Sequence, residues 1–458
     1  MSSTAALATF AATLRADRLP NPVAERVKLL LLDALACAVA GHEGGQVGEV
    51  RRLVATLGSG TDATVIAGGR STPAGATLLN GYLITAVNAC DIYRPAFAHL
   101  TPSVVPPAFV VAEAEHRSGA DLVAALAAGL EVAARIGRAI GYPAFRARGW
   151  QSSGVIGPFG GAAAVGRLLN LDPDQMVNAF GLAGSQAAGT SADWGTPGNK
   201  FHQFRAALSG LLAGRLAAEG YLAGSDALEA PDGGLFSTYT DGAEPGLAGE
   251  GLGDHWELLE IGQRRWPTAS ALQGMVTAIA EVADGTPREA NTIERVEIGV
   301  APDVHVMHGG LPDPQGKFQA LQSAHYVAAA YLVDGRLWLD QFDDARAADT
   351  RLRELMRDRV VVTADPTLAG VAATVVLRMR DGSVADLHAD VALGDPRRPL
   401  ERAQIEEKLR QAASERLDER VVEEVVATVA TLETIDDVAP LLAALAGAVP
   451  ATTHEEDA

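Results

Sequence analysis

Of 458 residues, 48% are hydrophobic and 21% charged. This is too apolar for a disordered chain and long enough for two or three globular units, which excludes a single small binding module. The 37 Lys plus Arg against 57 Asp plus Glu leave a formal charge of -20, so much of the surface repels phosphate backbones and anionic membranes, and neither nucleic acid nor membrane is an expected partner.

Residues 1–20 carry no basic residue ahead of their first apolar stretch and read as an amphipathic helix, not a signal peptide. The apolar run 29–41 is interrupted by Asp33 and falls short of the roughly 20 residues of a membrane span. Ala/Leu/Val segments with helical spacing dominate to about residue 262, among them 23–39, 121–140, 162–169 and 204–218. Segment 122–136 is apolar on most sides and is expected inside a helical bundle. After Trp266 the texture changes: 293–301, 359–363 and 371–380 are short and rich in Val and Ile, and read as strands. Asp381-Gly382 signals a tight hairpin from 371–380 into 384–393. Helices are expected at 271–283, 324–332 and 340–347, and again at 405–417 and 421–432, with a frayed acidic end at 452–458. The fold class is therefore mainly α: a large helical domain, 1–262 and 400–458, interrupted by a smaller α+β domain, 263–399.

Cys37 and Cys90 are too few for a disulfide framework and sit in no metal-binding spacing, which points to a reducing, cytoplasmic setting. Walker, GxSxG and HExxH motifs are absent. Gly154, Gly157, Gly160 and Gly161 lead into an Ala-rich helix, and close helix packing accounts for them better than an anion cradle does. His305 and His308, three apart, read as surface or loop histidines because nothing nearby completes a metal site.

Three polar stretches stand out. Residues 88–107 gather Asp91, Tyr93, Arg94, His99 and Thr101 among prolines; Asp91 is either a desolvated general base, or it caps a helix or pairs with Arg94. Residues 193–205 place Lys200, one of only four lysines, and His202 beyond a Gly/Pro turn. Residues 263–267 put Arg264 and Arg265 where the helical texture ends, either as a carboxylate clamp or as interdomain ion pairs.

The ordered series from LPNPVAERVKLLLLDALACAVAG through GWQSSGVIGPFGGAAAVGRLLNLDPDQMVNAFGLAGSQAAG and KFHQFRAALSGLLAGRLAAEGYLAG to HYVAAAYLVDGRLWLDQF resembles the MmgE/PrpD family of 2-methylcitrate dehydratases, cis-aconitate decarboxylases and iminodisuccinate epimerases. The resemblance implies a helical domain with an inserted lid domain, usually in a homodimer. It also implies chemistry without metal or organic cofactor, in which a proton is removed next to a carboxyl group of a small carboxylate or carbonyl substrate. Asp91 matches the family's aspartate. Thr101 stands where the family has a histidine, with His99 two residues earlier, and Gly149-Trp150-Gln151 replaces the usual Gly-Trp-His. Asn199 stands for a lysine, with Lys200 displaced by one and His202 kept, and Arg264 replaces the lysine before an aromatic-proline pair.

The resemblance thus assigns catalysis to Asp91, His99 and Lys200, and substrate binding to Tyr93, Arg94, Thr101, Gln151, His202 and Arg264. Lyase chemistry of the dehydratase or decarboxylase kind is the leading expectation. An epimerase or double-bond isomerase, or a non-catalytic acid-binding relative, is the alternative, because Thr101 and Gln151 do not titrate near neutral pH.

Overall fold

The computed structural model describes residues 2–283, 285–414 and 416–447, so the acidic segment 452–458 lies outside the described residues. The fold is mainly α and divides into two compact units: Met1–Ala86, Tyr93–Ile261 and Arg402–Ala458 in one, Val87–Ile92 and Gly262–Glu401 in the other. Among the described residues no helix is long and apolar enough to cross a membrane.

The helical unit is built around Gly119–Ala139, whose residues 122–137 are all buried. Ser118 caps this helix by accepting from the Asp121 amide at 3.1 Å. Two helices pack beside it, α1 (Thr101–Ala114) and α2 (Ser152–Leu168), and a third, α3 (Phe201–Ala218), packs on both of these. Small residues let the backbones approach. A methyl group at Gly129 would lie 2.6 Å from the Gly160 carbonyl, and one at Gly210 2.6 Å from Gly161 Cα, so alanine at either position forces neighbouring helices apart.

Proline inside α2 has a defined consequence. Pro158 lacks an N–H and so leaves the Gly154 carbonyl unused by the helix; that oxygen instead accepts from Arg205 Nη2 at 2.8 Å and from the Ala188 amide at 3.3 Å.

Two buried ion pairs brace this unit. Lys408 Nζ lies 2.7 Å from Asp33 Oδ1, both side chains essentially inaccessible, which fastens helix Arg402–Ala413 to helix Asn21–Ala40. Burial pulls the Lys408 pKa down, but the Asp33 carboxylate and the nearby Cys37 outweigh it and the net shift is upward. Arg135 Nε donates to Glu131 Oε1 at 2.5 Å, and its other nitrogens reach the carbonyls of Glu250 and His255 at 2.6 and 2.5 Å. Glu131 also accepts from the Glu257 and Leu258 amides, so one pair organises the 248–258 loop. A short ladder, Ala63–Val65 with Gly69–Ser71, is present that the helical spacing did not announce. Asn80 pins it, its side chain accepting from Ile66 N and donating to Thr64 O.

The smaller unit holds a four-stranded sheet of β1 (Ile293–Val300), β2 (Val360–Ala364), β3 (Ala373–Met379) and β4 (Val384–Ala389), in the order β2-β1-β3-β4. β1 and β2 run parallel and the other pairs antiparallel. Helices Gln273–Ala283 and Ala324–Asp334 share one apolar core with the inward residues Val296, Ile298, Val375 and Leu377. The Asp-Gly turn forms as its residues dictate: Gly382 takes φ 90° and Asp381 Oδ1 accepts from both the Ser383 amide and hydroxyl.

Three local expectations are corrected. The second hairpin strand stops at Ala389, not at 393. The helix expected at 340–347 is two short turns, Leu339–Phe342 and Asp344–Ala347, because Asp343 is extended (ψ 151°) and restarts the chain by accepting from the Ala347 amide. His308 is not a surface residue: it is buried within a π-helical turn, His305–Gly309, with Nδ1 3.0 Å from the Gln322 carbonyl, and burial lowers its pKa to about 4.

Candidate active site

Within the helical unit, the first turns of α1, α2 and α3 come together. The His99 amide, just ahead of α1, donates to Ser153 Oγ in the first turn of α2 at 3.0 Å. A methyl group at Gly157 would lie 2.9 Å from both Ser103 Oγ of α1 and Ala206 Cβ of α3, and one at Gly154 3.2 Å from His202 Cβ. Gly154, Gly157, Gly160 and Gly161 of α2 are therefore packing positions, and their packing gathers three helix starts at one place. Each start presents backbone N–H groups and the positive end of a helix dipole, a setting that favours an anion.

The polar side chains expected from the sequence sit on these turns. Thr101 opens α1 and is 1% exposed; Gln151 caps α2; Lys200 immediately precedes α3; His202 lies in its first turn. Gln151 Oε1 accepts from the Gly154 amide at 2.8 Å. The cap commits the amide oxygen to the helix, and the Nε2 donor is what remains for a ligand.

His202 is 5% exposed, and its Nε2 has no hydrogen-bond partner, the Asp193 carboxylate standing 3.8 Å away. Burial lowers its pKa, opposed by Asp193 and reinforced by Arg205, so the ring is neutral at pH 7. Asn199 Oδ1 is likewise buried without a hydrogen-bond partner. Buried polar atoms of this kind are uncommon in a packed interior and mark a place where a ligand can complete them.

The loop 187–191 lies across these starts. The Gln151 amide donates to Gly189 O at 3.0 Å and the Ser191 amide to Gly149 O at 2.7 Å. Arg205 holds the carbonyls of Gln186 and Ala188, and Tyr239 the carbonyl of Ala187. Gly189 needs its left-handed φ of 132°, and a methyl group there would sit 2.6 Å from His202 Nδ1. Sequence reasoning missed Ser153, Gly189 and Arg205. Of these, only Arg205 had a signal, since Pro158 implies a carbonyl at Gly154 in need of a donor.

Tyr93 and Arg94 belong to the same unit. Tyr93 is fully buried, and its hydroxyl donates to Glu257 Oε2 at 2.8 Å. Burial, then the Glu257 charge, raises its pKa, so its proton is committed to that carboxylate, which also meets Arg138 at 2.9 Å. Arg94 is half-buried at the start of a short 3-10 turn.

In the smaller unit, Asp91 and Arg264 are brought near one another. Asp91 is fully buried. Arg264, 2% exposed, donates from Nε to the Cys90 carbonyl at 2.7 Å, from Nη2 to Cys90 Sγ at 3.2 Å and from Nη1 to the Thr268 carbonyl at 3.3 Å. Among the described residues no group of three or more His, Cys, Asp or Glu is arranged to hold a metal ion.

Residues 5–248 match the family model described as the MmgE/PrpD N-terminal domain, and residues 266–434 that of the MmgE/PrpD C-terminal domain. A cis-aconitate decarboxylase-like protein of Aspergillus oryzae is 29% identical over 471 residues, covering 97% of each chain. The cis-aconitate decarboxylase of Aspergillus terreus is 29% identical over 475 residues, covering 96% of this chain and 95% of that one. The human cis-aconitate decarboxylase is 26% identical over 468 residues, covering 98% and 95%.

Proposed function

The chain belongs to the MmgE/PrpD family, and on that premise we propose that it is a lyase that needs no cofactor, removing a proton next to a carboxyl group of a small carboxylate substrate. Asp91 takes the proton, and His99 or Lys200 returns one or assists the leaving group. Thr101, the Gln151 amide nitrogen, His202 and Arg94 hold the substrate's oxygens, Tyr93 anchors the segment that follows Asp91, and Arg264, whose Nε, Nη1 and Nη2 already meet Cys90 and Thr268, acts on Asp91 and not on the substrate.

The observation that carries this reading is the gathering of three helix starts around buried polar groups that lack partners. The starts suit a carboxylate, and the Gln151 donor suits the oxygen on which charge grows as the proton leaves. Family membership and the named relatives support a lyase scaffold of the dehydratase or decarboxylase kind.

A second reading, epimerase or double-bond isomerase, is favoured by one feature. Gln151 and Thr101 occupy places where the resemblance expects histidines, and neither protonates a leaving group at neutral pH. Isomerisation needs only a proton removed and returned.

Proton NMR of the purified protein with cis-aconitate, citrate, 2-methylcitrate and iminodisuccinate separates the readings. A product lacking a carboxyl group, or a new alkene, supports the lyase. A stereoisomer or shifted double bond without loss of mass supports the isomerase. A folded protein that leaves all four untouched but binds one of them contradicts both and describes an acid-binding relative. Assembly as a homodimer, a cytoplasmic location and a lid role for the smaller unit belong to the same proposal.

A further inference from the structure

We propose that Cys90 and Arg264 form a latch that positions Asp91, and that Cys90 is a positioning residue of this protein. The inference deepens the reading above, since it rests on Asp91 as the proton-transfer group.

The geometry is specific. Arg264 uses Nε and Nη2, which lie along one edge of the guanidinium, to grip two atoms of the same residue: the carbonyl oxygen of Cys90 at 2.7 Å and its sulfur at 3.2 Å. The Cys90 carbonyl belongs to the peptide that joins it to Asp91. A peptide is planar, so fixing its oxygen fixes the direction of the Asp91 N–H and narrows where the Asp91 side chain can point.

The run turns sharply just ahead of this peptide: Asn88, three residues before Asp91, takes a left-handed φ of 56°, a conformation asparagine adopts more readily than most residues. The grip is anchored on the arginine side too. The Gln263 amide donates to the Gly394 carbonyl at 2.8 Å, and Thr268, whose carbonyl takes Arg264 Nη1, gives its hydroxyl to the Leu321 carbonyl at 2.6 Å.

A lysine offers one compact cluster of donors on a flexible stem and cannot bracket a carbonyl and a thiol along a planar edge. Arginine at 264 and cysteine at 90 are thus a matched pair, with the sulfur, a weak acceptor, filling the second half of the fork.

Two measurements on the full chain test the latch, one of them independent of turnover. N-ethylmaleimide labelling, resolved by mass spectrometry, compares Cys90 with Cys37; both are buried in the native protein and neither is in a disulfide. Arg264→Lys is expected to raise the Cys90 labelling rate at least tenfold relative to Cys37. Steady-state kinetics on whichever carboxylate the enzyme turns over should show Arg264→Lys lowering kcat at least 30-fold with KM within threefold. Cys90→Ser, which keeps an acceptor, should stay within threefold of wild type in both, and Cys90→Ala should fall between. Unchanged Cys90 labelling in Arg264→Lys overturns the latch, as does a change confined to KM. If the wild type turns over none of the carboxylates, the reading of Asp91 fails, and the labelling comparison still decides whether Arg264 holds Cys90.

Discussion

The helical unit contains two kinds of buried polar cluster, and they differ in how completely they satisfy themselves. At the braces, Lys408 with Asp33 and Arg135 with Glu131, opposite charges meet at hydrogen-bond distance and the remaining Arg135 donors find backbone carbonyls. At the starts of α1, α2 and α3, His202 Nε2 and Asn199 Oδ1 are buried with no hydrogen-bond partner, and the Gln151 oxygen is committed to a helix cap. The first arrangement stabilises a fold; we propose that a ligand completes the second. A buried polar side chain signals function only through what it lacks.

That contrast predicts opposite outcomes for substitutions in the two places. Asp91→Asn keeps shape and removes the base, so turnover should drop by at least about 100-fold while the melting temperature moves by a few degrees at most; a parallel loss of fold would reassign Asp91 to the braces. Lys408→Met should do the reverse. Leaving Asp33 charged and alone costs about 3–5 kcal/mol, read as a lower urea midpoint, whereas Asp33→Leu combined with Lys408→Met should recover most of it. If the single and double variants lose equal stability, the pair is not a brace.

His308 sharpens the comparison from the smaller unit. Its pKa is lowered by burial from 6.5 to about 4, so the native state resists a proton that the unfolded chain accepts. Its contribution is fully present above pH 6.5 and is lost as pH falls from 6.5 towards 4. At roughly 1.4 kcal/mol per unit this is on the order of 3 kcal/mol. In His308→Asn, stability should decline less steeply across that window, and a decline identical to wild type would show that His308 does not titrate as its burial dictates. The smallest effect is expected at Gly189. A methyl group there meets His202 Nδ1 and an unfavourable φ, costing about 1–3 kcal/mol. Gly189→Ala should weaken carboxylate binding in a calorimetric titration, and unchanged affinity would remove His202 from the site.

Much of the architecture was legible because local spacing carries it: the apolar run 122–136, the Val/Ile-rich strands and the Asp-Gly turn each state their own structure. The sites were only partly so. Scarcity of lysine drew attention to Lys200, yet Lys408 is equally scarce and turned out to pair with Asp33, 375 residues away in the chain. Asp33 itself had registered only as a break in an apolar run. No local pattern encodes a partner at that separation. The grip of Arg264 on Cys90 was unreadable for the same reason, although both residues had been noted separately. The buried state of His308 depended on a π-helical turn that residue spacing does not announce.

Under the proposed function, this protein moves a proton next to a carboxyl group and Asp91 carries it. The most direct measurement is solvent deuterium entering cis-aconitate, citrate, 2-methylcitrate or iminodisuccinate in heavy water, followed by proton NMR for wild type and Asp91→Asn side by side. Wash-in is expected at a carbon next to a carboxyl group, with or without net product, for at least one of them with the wild type, and none above background with Asp91→Asn. Wash-in at equal rates in both proteins would contradict it.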